Sequence, residues 1–279
     1  HHRYAQLCWL FNQTRIPHVW ILPHCGWWHY SYSPSCRSRF TDHLIMHITP
    51  ESIQEGQFLL INKPLHWTSH DVIARLRGPL KSFTGNRKLK VGHAGTLDPL
   101  ATGLLIVLTG KATKRAEETQ GLNKVYSGTL TLGGITESYD LETPVLNPLP
   151  FAHITEAEIQ AAAQTFTGEL QQYPPKHSSV KIEGKPAYVY AREGEEKAMR
   201  PRTIEVFSFD ITGIQLPDIH FRIACSKGTY IRSLAHDFGQ HLGCGGYLSA
   251  LCRDQIGTYH LENAMELADV LSIIKPSKT

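Results

Sequence analysis

The chain has 279 residues, of which 41% are hydrophobic and 19% are charged, an ordinary globular composition. This excludes a disordered tail, a collagen-like repeat and a disulfide-rich miniprotein, and it leaves room for one large or two modest domains. The longest clean aliphatic run is only LLIVL, residues 104–108. A membrane-spanning helix needs roughly 20 apolar residues, so we expect no membrane anchor.

The formal net charge of +3 is concentrated at the N-terminus. Residues 1–45 hold four basic residues and one acidic residue, whereas the chain from Met46 onward is neutral. The same segment holds four of the five tryptophans and six of the 16 histidines. Proline and histidine interrupt its only apolar stretch, which does not fit a secretory signal. We expect residues 1–45 to be a tag remnant or upstream read-through, with a genuine extension as the alternative, and residues 46–279 to form the fold.

Short apolar strands and one helix are predicted in the first part of this domain. Residues 56–61 and 104–109 each predict a buried strand. Between them, Ser69 caps a helix that we expect to end at the Gly-Pro pair 78–79. The segment GHAGTLDPLATG, residues 92–103, predicts an irregular loop that leads into the second strand.

The second part of the domain also mixes strands with helices. Residues 124–133 predict a strand with one wet face, and a capping box at residues 155–158 begins a helix. A change in the phase of alternation between residues 206 and 207 predicts a β-bulge. Residues 219–225 predict a strand that is followed by a helix. The fold class is therefore α+β or mixed α/β in a single domain.

Three segments carry side chains that suit catalysis or nucleotide binding. Asp98 lies in the loop before a strand and its backbone is stiffened by proline, although Asp-Pro is also a common turn. Tyr230 and Arg232 begin a helix, and an arginine can hold a carboxylate bidentately and favour its ionised form; structural ion pairs use the same residues. Tyr126 lies two residues after Lys124 and is either an aromatic side chain that stacks on a base or a half-buried core residue.

Charge along the chain is uneven. Residues 60–130 carry 11 bases against four acids and residues 173–202 carry seven against four, while residues 131–172 carry six acids and no base. The two basic stretches fit a polyanion such as nucleic acid or, equally, solvated faces. Phosphate-loop, dinucleotide-binding and GxSxG patterns are absent from the sequence. The three cysteines after Met46 lack paired CxxC spacing, so no zinc site is indicated.

Six segments in correct order resemble the TruB family of tRNA pseudouridine synthases, and the resemblance covers about residues 56–260. It implies the pseudouridine synthase fold, in which helices flank a central, largely antiparallel mixed sheet. It also implies that residues 173–202 are an insertion that clasps RNA. The segments are GQFLLINKPLHWTSHDV, GHAGTLDPLATGLLIV, KVYSGTLTLG with TESYD, YPPKHSSVKIEGKPAYVYAREG, RPRTIEV and CSKGTYIRSLAHDFGQHLG.

The resemblance assigns roles to individual residues of this sequence. Asp98 matches the catalytic nucleophile of the GTLDP motif, and Tyr126 of the KxY motif stacks on the target base. Tyr230 and Arg232 line the pocket, where Arg232 pairs with the aspartate. Further matches are expected to contact flipped-out nucleotides or to shape the cleft, and these are His93, Lys63 and Asp140.

The implied reaction converts a uridine in the T loop of tRNA, position 55 in tRNA numbering, to pseudouridine. This isomerisation needs no cofactor and no metal. Many family members continue into a C-terminal PUA domain, whereas this chain stops at Thr279 soon after MELADVLSII. Either its clade lacks that domain or the sequence is truncated. The guide-RNA-directed relatives need that domain for assembly, so we expect a monomer that recognises the T arm without a guide RNA or an obligate protein partner. The odd number of cysteines after Met46, without paired spacing, indicates a cytoplasmic protein. The alternatives are a catalytically silent T-arm binder and an enzyme that acts on an rRNA or mRNA hairpin.

Overall fold

The computed structural model describes residues 48–178, 180–182, 184–193, 195 and 199–275. The segment 1–45, predicted to lie outside the fold, is not among them. None of the described helices combines the length and apolar character that a bilayer crossing requires. Twelve strands are described, and they are β1 Phe58–Lys63, β2 Val91–Ala94, β3 Ala101–Thr109, β4 Lys124–Leu132, β5 Gly168–Gln172, β6 Lys181–Ile182, β7 Lys185–Pro186, β8 Arg202–Gln215, β9 Asp218–Cys225, β10 Gly246–Ile256, β11 Tyr259–His260 and β12 Met265–Glu266.

Helices flank these strands and mostly lie between them in sequence. Two 3-10 segments, Gly110–Arg115 and Leu261–Asn263, connect neighbouring elements. The described α-helices are α1 Pro50–Glu55, α2 Ser69–Thr84, α3 Ala116–Gln120, α4 Glu156–Thr165, α5 Ala187–Arg192, α6 Ile231–His241 and α7 Leu267–Ile273.

Ten of the described strands form one sheet with the order β12-β1-β3-β10-β4-β9-β8-β5; β2 pairs with β3, and β11 pairs with β10. The β1–β12 and β3–β10 pairs are parallel, and the other described pairs are antiparallel. Strands β6 and β7 form a separate two-stranded sheet. The mixed, largely antiparallel sheet expected from the sequence is confirmed.

Three clusters of apolar side chains are buried on the sheet, and groups of helices cover the two larger ones. The larger cluster packs α4 and α6 on β4, β8 and β9, through buried residues such as Phe221 and Phe238. A second cluster packs α1, α2 and α7 on β1 and β3. Tyr126 of β4 and Arg253 of β10 are direct cross-strand neighbours, so their side chains share one face of the sheet. That face also carries the larger cluster, and the candidate site lies at the edge of this cluster.

The phase change in the sequence of β8 is a bulge, as predicted. The β8–β9 register shifts between Val206 and Ser208, so an extra residue restores the inward direction of Phe209, which is buried. The capping box at Thr155 is also present, with Glu158 as its reciprocal partner.

Helix α2 corrects two sequence expectations. Its N-cap is Thr68 rather than Ser69, and it does not end at the Gly-Pro pair 78–79. It continues through Pro79 to Thr84 and is capped by Gly85, whose φ of 66° is left-handed. An internal proline costs about 3 kcal/mol and one backbone hydrogen bond. Leu76 and Leu80 lie on either side of it, and both are fully buried in the second cluster. Their burial, at roughly 1.5–3 kcal/mol each, offsets that cost.

The segment 92–103 also differs from the expectation of a wholly irregular loop. Residues 92–94 belong to β2, which pairs antiparallel with β3, and residues 101–103 already belong to β3. The irregular part is therefore only residues 95–100. The local glycine content suggests a loop, but the ladder with a strand further along the chain decides the backbone conformation.

Candidate active site

Asp98 lies in the short loop between β2 and β3. Its carbonyl accepts a hydrogen bond from Ala101 N–H at 3.1 Å, which closes the turn, and Pro99 C=O accepts from His66 N–H at 2.8 Å. The Asp98 side chain is 37% exposed and lines a cavity of about 700 Å³. Asp98 thus presents its carboxylate at the wall of a cavity of ligand size, which Glu142 also lines.

Three side chains from distant elements hold this loop by its backbone. Ser69 Oγ accepts from Leu97 N–H at 2.8 Å and donates to Leu97 C=O at 3.1 Å. Lys63 Nζ donates to the carbonyls of Pro64, Trp67 and Pro99. Because these contacts satisfy buried polar groups, they stabilise the loop.

Arg253 holds the other end of the loop. Its Nη1 and Nη2 donate to the carbonyls of Thr96 and Gly95 at 3.3 and 3.0 Å, and its Nε donates to Leu104 C=O at 2.8 Å. The residue is 1% exposed and comes from β10, far along the chain. Arg253 was not selected from the sequence. The signal that could have identified it is its position two residues after Leu251, which places both side chains on the same face of a strand.

Arg232, on the first turn of α6, contacts Asp98 directly. Its Nη2 donates to Asp98 Oδ1 at 3.3 Å, and its Nε lies 2.9 Å from Oδ2 as an ionic contact without hydrogen-bond alignment. Asp140 Oδ2 lies 3.8 Å from the same Nε. The guanidinium also donates to Ser138 C=O and His177 C=O at 3.1 and 3.0 Å. A buried cation is thus compensated by carboxylates and carbonyls.

Asp140 is buried, and its Oδ1 accepts from Glu142 N–H at 3.0 Å. Its neighbour Tyr139 has a φ of 64°, and the Tyr139 ring stacks on His236 of α6 at 4.0 Å between centres. The turn that carries Asp140 is therefore fixed on α6 beside Arg232. The structure brings together Asp98, Arg232 and Asp140, which were predicted from separate segments.

Two tyrosines line the cavity. Tyr126 is 8% exposed and belongs to the larger core cluster, yet it also reaches the cavity wall. Burial raises the pKa of its hydroxyl, so Tyr126 presents a neutral aromatic side chain at neutral pH. Tyr230 is half-buried, precedes α6 and lines the same cavity. The sequence left open whether Tyr126 is a core residue or a base-stacking aromatic, and the structure places its side chain both in the core cluster and at the cavity wall.

His93 and two lysines complete the surroundings of Asp98. His93, on β2, lines the cavity, and burial together with the Arg253 charge lowers its pKa. Burial lowers the pKa of Lys63 and of Lys124 to about 8 each. Lys63 acts on the loop backbone, and Lys124 donates to the carbonyls of Gln120 and Leu122. Among the described residues no group of three or more His, Cys, Asp or Glu side chains is arranged to hold a metal.

This geometry can perform chemistry on a bound nucleoside. A carboxylate that is held by a guanidinium and open to a cavity can attack an electrophilic carbon or accept a proton from a bound ring. The tyrosines provide aromatic surface for that ring.

Comparisons with known proteins show similarity over most of the chain. Residues 81–231 match the family model described as TruB family pseudouridylate synthase, N-terminal domain. The chain is 48% identical over 221 residues to tRNA pseudouridine synthase B of Flavobacterium johnsoniae, covering 79% of this chain and 96% of that protein. It is also 48% identical over 221 residues to the protein of the same name from Chloroherpeton thalassium, covering 79% and 91%.

Solved structures show the same fold. A Cbf5-Nop10-Gar1 complex contains a chain with a TM-score of 0.59 and 29% identity, and an H/ACA RNP bound to a substrate RNA containing 2′-deoxyuridine contains one with 0.57 and 27%. These matches cover 81% of this chain and 58% and 57% of the solved chains, so the chain spans less than two thirds of their length. Together with the motif containing Asp98, these similarities establish that the chain belongs to the TruB family of pseudouridylate synthases.

Proposed function

We propose that this protein isomerises the T-loop uridine at position 55 of tRNA to pseudouridine, with Asp98 as the catalytic residue. The observation that carries the proposal is the contact between Asp98 and Arg232 at the wall of a cavity that Tyr126, Tyr230 and His93 also line. The relatives that are 48% identical carry the name tRNA pseudouridine synthase B.

The reaction conserves every atom of the uridine. The bond between N1 and the ribose C1′ breaks, the uracil turns, and a new bond forms between C5 and C1′. The proton on C5 is lost, and N1 gains one. Asp98 supplies the anionic group beside the ribose and the base, and Arg232 holds that group in place. The base leaves its stack at a cost of a few kcal/mol, and stacking on Tyr126, worth roughly 1–3 kcal/mol, offsets this cost.

The residues that begin the insertion support its assignment as an RNA clasp. His177 and Ser178 line the cavity beside Asp98, and residues 173–202 carry seven bases against four acids. Closure of this segment over the T arm would bring cationic side chains to the RNA backbone. His93 also lines the cavity, which supports the proposal that it contacts nucleotides next to the target.

The decisive experiment incubates the purified protein with an unmodified tRNA transcript and maps pseudouridine in the T loop. We expect conversion by the wild-type protein and a loss of at least about 10³-fold for Asp98→Asn, with tRNA binding retained. Binding without any conversion would favour the silent T-arm binder. Comparing pseudouridine maps of cells with and without the protein identifies rRNA or mRNA sites, and their presence without position 55 would overturn the substrate assignment.

Two further measurements test whether the protein works alone and whether residues 1–45 contribute. We propose a cytoplasmic monomer that needs no guide RNA, protein partner or cofactor, with residues 1–45 dispensable and residues 46–279 sufficient. Light scattering should give a monomer mass, and deletion of residues 1–45 should leave conversion and thermal stability unchanged. A large loss on deletion would show that the segment belongs to the functional protein.

A further inference from the structure

The two ends of the insertion meet beside Tyr230. Strand β5 ends at Gln172, β8 begins at Arg202, and these two residues are partners in the β5–β8 ladder. Residues 173–201 thus leave and re-enter the sheet at one point. The Arg202 guanidinium lies 5.7 Å from the centre of the Tyr230 ring, within cation–π range. Gln172 and Arg202, defined here as the root of the insertion, therefore both lie next to the residue that precedes α6.

Gln172 binds the backbone of Tyr230 at two points. Its Oε1 accepts from Tyr230 N–H at 2.8 Å, and its Nε2 donates to Tyr230 C=O at 3.0 Å. The residue is 2% exposed, and Tyr230 makes no capping bond with its own side chain. A buried amide that is satisfied at both ends fixes a single arrangement. Gln172 therefore sets the backbone position from which α6 begins.

The first turn of α6 makes two more bonds to the start of the insertion. Ser233 Oγ donates to Tyr173 C=O at 2.8 Å, and Arg232 Nη2 donates to His177 C=O at 3.0 Å. The same Nη2 donates to Asp98 Oδ1 at 3.3 Å. One guanidinium nitrogen therefore joins the insertion to the reacting carboxylate, so movement of the insertion changes the orientation of Arg232.

We propose that Gln172 is a positioning residue for the reaction. By fixing the backbone at Tyr230, it places the Arg232 guanidinium against Asp98 and ties that contact to the insertion. This inference rests on the proposed function. Gln172 is not among the residues that line the 700 Å³ cavity, so its loss should slow the chemical step more than it weakens RNA binding. A displacement of about 1 Å at a catalytic group can lower a rate by about 10²-fold.

The test uses two substitutions at Gln172 in the full chain. Gln172→Met keeps the side-chain length and removes both hydrogen bonds. We expect its kcat to fall roughly 10- to 100-fold, with little change in KM for the tRNA transcript. Gln172→Glu restores both bonds only when its carboxyl is protonated, because the neutral acid donates to Tyr230 C=O and its other oxygen accepts from Tyr230 N–H. The ratio of its kcat to that of wild type should therefore be highest at acidic pH and fall as pH rises.

The matched control is Gln171→Met, one residue earlier on β5. Gln171 is exposed and its Nε2 donates to Thr203, so its kcat and KM should equal those of wild type. An unchanged kcat in Gln172→Met would overturn this inference, as would a pH-independent ratio for Gln172→Glu. If Gln172→Met does not fold, the pH-dependent ratio of Gln172→Glu decides. A wild-type protein that converts no uridine would instead overturn the proposed function.

Discussion

The two sides of the Asp98–Arg232 contact are held in different ways. On the Asp98 side, Ser69 of α2, Lys63 of β1 and Arg253 of β10 bind the backbone of residues 95–100. On the Arg232 side, the first turn of α6 depends on the root and start of the insertion, through Gln172, Tyr173 and His177. Asp98 is thus fixed by elements of the core, whereas Arg232 is fixed in part by the segment proposed to close over RNA.

This difference predicts which substitutions lower folding stability and which mainly lower the reaction rate. Changes on the Asp98 side remove bonds inside a close-packed core, so they reduce folding stability as well as rate. Changes on the Arg232 side, such as loss of the buried Gln172 amide, also leave buried polar groups unpaired, but their main expected effect is on the orientation of one guanidinium. Three substitutions test the comparison, and they follow in order of decreasing expected effect.

Arg232→Lys should have the largest effect, lowering kcat by about 10²–10³-fold. A lysine ammonium cannot reproduce the fork that contacts both oxygens of Asp98 together with Ser138 C=O and His177 C=O. Single-turnover conversion of the tRNA transcript measures the change. The control is Arg222→Lys, an exposed arginine of β9, and its rate should match wild type. A wild-type rate in Arg232→Lys would contradict the role assigned to the pair.

Arg253→Met should lower the free energy of unfolding by about 2–4 kcal/mol, because it leaves three buried or partly buried carbonyls without their donor. It should also lower kcat, since the loop that carries Asp98 loses two contacts. Urea denaturation measures the stability. The exposed Arg75→Met on α2 should change it by less than about 0.5 kcal/mol. An unchanged unfolding free energy in Arg253→Met would show that the loop does not depend on this residue.

Of the three, His93→Gln should change folding stability least, and this change depends on pH. Burial and the Arg253 charge hold the pKa of His93 below its ordinary value of 6.5. The unfolded chain therefore binds a proton at a higher pH than the folded chain, so stability decreases as pH falls from 6.5 through the folded pKa. Relative to His93→Gln, the wild type should lose at most about 1.4 kcal/mol per pH unit over this range. Urea denaturation at neutral and acidic pH measures the difference in unfolding free energy between the wild type and His93→Gln. The same difference at both pH values would contradict this prediction.

Much of the fold follows from short-range sequence signals. The capping box at Thr155, the alternation in β9 and the phase change at Val206 each depend on neighbouring residues, and each is present in the structure. The predicted end of α2 at residues 78–79 was wrong, because Leu76 and Leu80 pack against residues distant in the sequence and keep the helix going to Thr84. The strand character of residues 92–94 was missed because it depends on the ladder with β3.

The candidate site divides in the same way. The motif order in the sequence selects Asp98, Tyr126, Tyr230 and Arg232, and all four line one cavity. Their roles in the reaction stay predictions. The roles expected for His93, Lys63 and Asp140 stay predictions, and the structure adds that Lys63 binds the loop backbone rather than reaching the 700 Å³ cavity. Arg253 and Gln172 had no motif of their own in the sequence analysis.

The family and the mixed sheet follow from the sequence alone, because recurring motifs and local periodicity are properties of neighbouring residues. How the Asp98 carboxylate is held depends on tertiary contacts between distant residues. Asp98 and Arg232 are 134 positions apart, and Gly95 and Arg253 are 158 apart. Such contacts form when strands and helices pack, since each buried polar group must find its partner wherever the fold brings one.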